Sequence, residues 1–71
     1  MFGRNLKKLR EGNNLTQGAL ADRLGVSRQA VCMWEQGERT PKLGLITEIA
    51  RNFKVSIDYM IKGRLPDGRN N

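Results

Sequence analysis

Residues 17–36 read QGALADRLGVSRQAVCMWEQ, and the way this stretch must pack decides the fold. Thr16 before it suits a helix N-cap, and Leu20, Ala21 and Leu24 mark the inner stripe of a short helix that stops at Gly25. Ser27 caps a second helix, in which Val31 and Trp34 lie three apart on one face and which Gly37 ends. Two short helices that cross steeply must touch near their bend. Ala21 is small, as close approach requires, and Gly25 supplies the positive φ that turns the chain within about three residues. Leu20, Leu24, Val26, Val31 and Trp34 are apolar where the pair must face a core. Ser27, Arg28, Gln29, Cys32, Met33 and Gln36 fall on the outer side. The second helix therefore opens outward with a polar trio whose side chains match the hydrogen-bonding edges of bases.

Working outward from this pair, Leu6, Leu9 and Phe2 recur at helical spacing in a first segment closed by the turn formers Gly12-Asn13-Asn14. On the other side Thr40-Pro41 reads as a hydroxyl cap followed by proline at the first helical position. Leu43, Ile46, Ile49, Ala50 and Phe53 then define a buried helical face that closes the core. Val55 leads into Ser56, a further cap, and Ile57, Met60 and Ile61 give a last helix ending at Gly63. Arg64 to Asn71 has little to bury, so residues 1–63 are expected to form the domain and 64–71 a frayed tail. No strand-like alternation of useful length interrupts these segments. The expected class is all-α, with five short helices.

The chain has 71 residues, room for one compact domain without a separate effector module. Thirteen Lys and Arg against seven Asp and Glu leave a net charge of +6, a field that attracts a polyanion and releases its counterions on contact. Cys32 has no partner for an internal disulfide and no charged-then-apolar leader opens the chain. A reducing cytoplasmic compartment is expected. No apolar run approaches the roughly 18 residues of a membrane span. With no histidine and one cysteine, no metal or cofactor is expected. None of the constellations that catalysis needs is present, so an enzyme is set aside.

Leu15-Thr16-Gln17, Leu20-Ala21, Leu24-Gly25-Val26-Ser27-Arg28-Gln29, Trp34-Glu35-Gln36-Gly37, Pro41 and Val55-Ser56-Ile57-Asp58 together resemble the Cro/cI-type (XRE-like) helix-turn-helix family of phage repressors and bacterial regulators. The likeness runs from about Asn5 to Gly63. It implies a compact five-helix, phage-repressor-like DNA-binding domain whose third helix enters the major groove, in a prokaryotic or phage-encoded regulator of transcription. It also implies a homodimer, formed in solution or only on DNA, that meets a pseudo-palindromic operator in double-stranded DNA. Five positions depart from the family pattern in three ways. Lys54 stands where the family has a glycine closing the fourth helix, so that end needs strain or another cap. Gly18 and Gly44 weaken the helices they begin, and Cys32 and Met33 offer the outer face few hydrogen bonds.

The candidate base readers are Ser27, Arg28, Gln29 and Met33. Arg28 carries the fork that matches guanine O6 and N7, Gln29 the amide that is bidentate to adenine, and Met33 a surface for a thymine methyl. Ser27 caps its helix and touches phosphate or base. Gln17, where free N–H groups face outward, is implied by the resemblance as a phosphate contact, and Arg39, Thr40 and Lys42 form a second candidate phosphate clamp. Each has a plainer reading as a solvated surface or loop residue. Trp34 shares its face with Val31 and reads as core rather than a stacking platform. The resemblance further implies an ion pair between Arg10 and Glu35 that holds the recognition helix at its angle; on a surface such a pair adds only about 0–1 kcal/mol. Ile57, Met60 and Ile61 offer more apolar surface than one short helix can hide, which marks the expected dimer face. The reading set against a repressor is an antitoxin that sequesters a toxin and regulates its own synthesis; the short polar segment 64–71 leaves it little surface for that partner.

Overall fold

A computed structural model describes residues 2–62. It contains α1 (Phe2–Gly12), α2 (Gln17–Leu24), α3 (Arg28–Gln36), α4 (Leu43–Phe53) and α5 (Ile57–Lys62), and no strand among the described residues. The expected tail 64–71 and the stop at Gly63 lie outside the described residues. No described helix is long and apolar enough to cross a membrane.

The first four helices are short because each is closed by the same local device. After α1, α2, α3 and α4 one residue turns left-handed, at Asn14 (φ 58°), Gly25 (φ 70°), Gly37 (φ 79°) and Lys54 (φ 58°). The next N–H then reaches back to a carbonyl five residues earlier: Leu15 to Arg10 at 3.1 Å, Val26 to Ala21 at 3.0 Å, Glu38 to Met33 at 3.0 Å and Val55 to Ala50 at 3.0 Å. These are Schellman closures, and in three of them the residue that follows the turn is apolar and returns to the core. Glycine makes the turn without cost at residues 25 and 37. At Lys54 the fourth helix ends in the strained conformation that the missing glycine implies.

At the other ends, the Thr16 hydroxyl accepts from the Ala19 N–H at 3.0 Å and the Ser27 hydroxyl from the Ala30 N–H at 3.1 Å. The Ser56 hydroxyl accepts from the Tyr59 N–H at 3.0 Å. The fourth helix starts later than Thr40-Pro41 suggests: its first residue is Leu43 and its cap is Lys42, which makes no side-chain capping bond. Pro41 is instead buried in the preceding loop.

Leu6, Leu20, Ala21, Val31, Trp34, Ile46, Ile49, Ala50 and Met60 form one core. α3 packs against both α2 and α1, and α5 packs against α1 and α4. Two expectations fail here. Leu43, read as part of the buried face, is 66% exposed. Cα–Cβ bonds tilt toward a helix's N-terminus, so a side chain in the first position leans out past the helix end, and the buried face begins only at Ile46. Met60, read as part of a dimer face, is wholly buried, because α5 is wedged against two helices rather than laid on one.

Candidate nucleic-acid interface

The outer face of α3 begins immediately after its cap. Ser27, Arg28 and Gln29 are all exposed, as is Gln36 one face-repeat further on. Cys32 and Met33, which complete the same face, are half-buried, so the thiol is less exposed than a surface position suggests. Val31 and Trp34 point the other way, into the core. The Trp34 ring is therefore structural.

The other helix of the pair, α2, presents its start to the same side. The N–H groups of Gln17 and Gly18 lie in the first turn of α2, where no intrahelical carbonyl reaches them, and that end carries the positive pole of the helix dipole. Arg28 runs alongside this turn: a β-carbon placed on Gly18 would lie 3.7 Å from Arg28 Cδ. The Gln17 side chain turns inward, and its amide Nε2 donates to Glu35 Oε1 at 3.0 Å. The main-chain N–H of Gln17 stays in the open first turn of α2.

What holds α3 at its angle is a buried polar cluster. Arg10 Nε donates to Glu35 Oε2 at 2.6 Å and Nη2 to Glu35 Oε1 at 3.1 Å, a bidentate pair whose side chains are 11% and 4% exposed. The third edge of the guanidinium donates from Nη1 to the Leu15 carbonyl at 2.8 Å, tying the loop before α2 into the same cluster. The hydrogen bond to Glu35 raises the Arg10 pKa above its ordinary value despite the opposing cost of burial. One arginine thus joins α1, the α1–α2 loop and α3, and Gln17 adds α2.

Two further contacts were not legible as functional in the sequence. Gly3 lies where α1 crosses the end of α3; a β-carbon there would fall on the Trp34 carbonyl oxygen and 2.9 Å from that of Glu35. Asn5 is buried, and its Nδ2 donates to the carbonyls of Met60 at 2.7 Å and Tyr59 at 3.3 Å, satisfying the open end of α5. A signal for Asn5 did exist: a polar residue three after Phe2 and four before Leu9 sits in the inner stripe and needs a partner there.

Arg39, Thr40 and Lys42 are exposed in the segment between α3 and α4. The Arg39 N–H bonds back to the Met33 carbonyl at 3.4 Å, which folds this segment against the end of α3. Among the described residues the ion pairs of basic side chains involve Arg10 and Arg51. Of the last helix, Ile61 is 45% exposed and Ile57 half-buried.

Comparison with known proteins fits this geometry. Residues 6–60 match the helix-turn-helix family. The chain is 43% identical over 63 residues to the uncharacterized HTH-type transcriptional regulator YqaE of Bacillus subtilis, covering 89% of this chain and 54% of that protein. It is 47% identical over 53 residues to the uncharacterized HTH-type transcriptional regulator MJ0272 of Methanocaldococcus jannaschii, covering 75% and 80%. Among solved structures, the P22 c2 repressor in complex with a synthetic operator superposes with a TM-score of 0.84 at 28% identity, over 90% of this chain and 97% of that one. The chain spans about half the length of several curated relatives it matches.

Proposed function

The chain belongs to the helix-turn-helix family of XRE-like transcriptional regulators, not a class of enzymes, and from that premise we propose that it represses transcription in the cytoplasm by binding an operator in double-stranded DNA. In this reading α3 enters the major groove. Arg28 grips a guanine, Gln29 an adenine, Ser27 touches base or phosphate, and Met33 packs on a thymine methyl. The Gln17 N–H, Arg39, Thr40 and Lys42 hold the phosphates on either side.

The observation that carries the reading is the exposed Ser27-Arg28-Gln29 face at the start of a helix clamped by a buried ion pair. A groove reader needs side chains that reach out from a rigid element, and this helix has both properties. The net charge of +6 supplies the attraction to phosphate. That the similar P22 repressor is an operator-bound protein favours repression in particular.

The reading includes a two-fold dimer. Exposed Ile61 and half-buried Ile57 form the patch that meets the partner, without the buried Met60. Two such domains would set their recognition helices about 34–36 Å apart, one turn of DNA, on half-sites related by the same axis. The interface is small, so the free protein dimerises weakly and the DNA completes the pair.

Selection of bound duplexes from a random pool tests this. A two-fold symmetric site with half-sites one turn apart is the expected product. On that site, Arg28→Ala should flatten preference at one base pair, while Lys42→Ala should weaken preferred and random DNA alike and lower the salt slope by about one unit. Recovery of no consensus, or a base preference that follows Lys42 rather than Arg28, overturns the assignment of α3 to the groove.

A further inference from the structure

We propose that position 18 is specificity-determining, because glycine there places no hydrogen-bond acceptor beside Arg28, which is left to lie across the first turn of α2 and carry its guanidinium to a base. The inference rests on the reading of Arg28 as a base reader and adds the residue that steers it.

Nothing in the fold itself demands glycine here. Gly18 is an ordinary helical residue of α2 and is not among the positive-φ positions. A β-carbon on it would meet Arg28 Cδ at 3.7 Å and the Thr16 hydroxyl oxygen at 3.9 Å, both ordinary van der Waals distances.

The neighbouring side chains are already committed. The Gln17 amide is held by Glu35, the Thr16 hydroxyl by the Ala19 N–H and the Ser27 hydroxyl by the Ala30 N–H. None of the ion pairs among the described residues takes Arg28. Position 18 is therefore the place in this turn from which a side chain would capture or deflect the arginine. A methyl would rest against its stem. A longer acceptor would pair with the guanidinium, and a charge-assisted pair competes directly with the base.

The test measures binding of the selected operator and of the same operator changed at the Arg28-dependent base pair, by fluorescence anisotropy. The readout is the ratio of the two affinities. Both duplexes carry equal phosphates, so a general gain or loss of attraction cancels in that ratio.

Gly18→Ala should keep the wild-type ratio, expected to be on the order of tenfold or more for a bidentate contact. Gly18→Glu should bring it down to the ratio of Arg28→Ala, and the double variant should fall no further. An acid in the first turn complements the helix dipole, so circular dichroism should report helical content at the wild-type level for Gly18→Glu. If Arg28→Ala loses the discrimination and Gly18→Glu retains it, the steering role of position 18 is refuted. If Arg28→Ala itself leaves the ratio unchanged, the base-reading role of Arg28 has failed, and this inference falls with it.

Discussion

Replacing Arg10 by methionine removes the guanidinium from a cluster in which it makes two hydrogen bonds to Glu35 and one to the Leu15 carbonyl. The Glu35 carboxylate, 4% exposed, is then left with the Gln17 amide as its hydrogen-bond partner. Two unit charges about 4 Å apart at an effective dielectric near 20 attract by about 4 kcal/mol, and truncating one member of a buried pair costs about 3–5 kcal/mol. That is several times the 0–1 kcal/mol of a surface pair. A domain of this size has roughly 4–11 kcal/mol in total, so Arg10→Met should remain folded only near the lower limit of stability. Glu35→Leu added to Arg10→Met removes both charges and should recover most of the loss, because a buried pair replaced by apolar groups is often neutral or better. Urea unfolding followed by circular dichroism at 222 nm gives both numbers. A cost below about 1 kcal/mol for Arg10→Met, or a double variant no better than the single, would refute the claim that this pair is buried and energetically coupled.

Gly3→Ala should destabilise by about 1–3 kcal/mol or more despite alanine's better helix propensity, since the added methyl collides with the Trp34 and Glu35 carbonyls; a thermal melt that rises instead contradicts the close approach. Lys54→Gly should raise the urea midpoint by the equivalent of about 0.5–1 kcal/mol, because relief of the left-handed strain outweighs the extra freedom of the unfolded chain. Met60→Asp should unfold the protein, whereas Ile61→Asp should change stability by no more than about 0.5 kcal/mol yet weaken binding to a full palindrome while sparing an isolated half-site; titrations of both duplexes distinguish the two.

Much of the architecture is local in origin and was readable in the chain. Thr16, Ser27 and Ser56 each satisfy an N–H three residues on, and Gly25 and Gly37 turn the chain where a left-handed residue is needed. Such devices act within a few residues, so their residue types reveal them. The inner stripes of α2 and α3 obey the helical period, which determined that Leu20, Ala21, Val31 and Trp34 are buried and that Ser27, Arg28 and Gln29 are not. The resemblance implied a partnership of Arg10 with Glu35, but not its burial.

What only the tertiary structure decided depends on where distant helices meet. Asn5 closes the end of a helix 54 and 55 residues away in the chain, and Gly3 lets α1 approach the end of α3; neither partner is set by local spacing. Periodicity names the face of a helix but not which parts of that face are covered. Leu43 shares the spacing of Ile46 yet projects beyond the helix end, and Met60 belongs to an apolar trio yet alone of the three is enclosed. The Gln17 side chain turns inward for the same reason, because a buried carboxylate on another helix offers it a stronger acceptor than water.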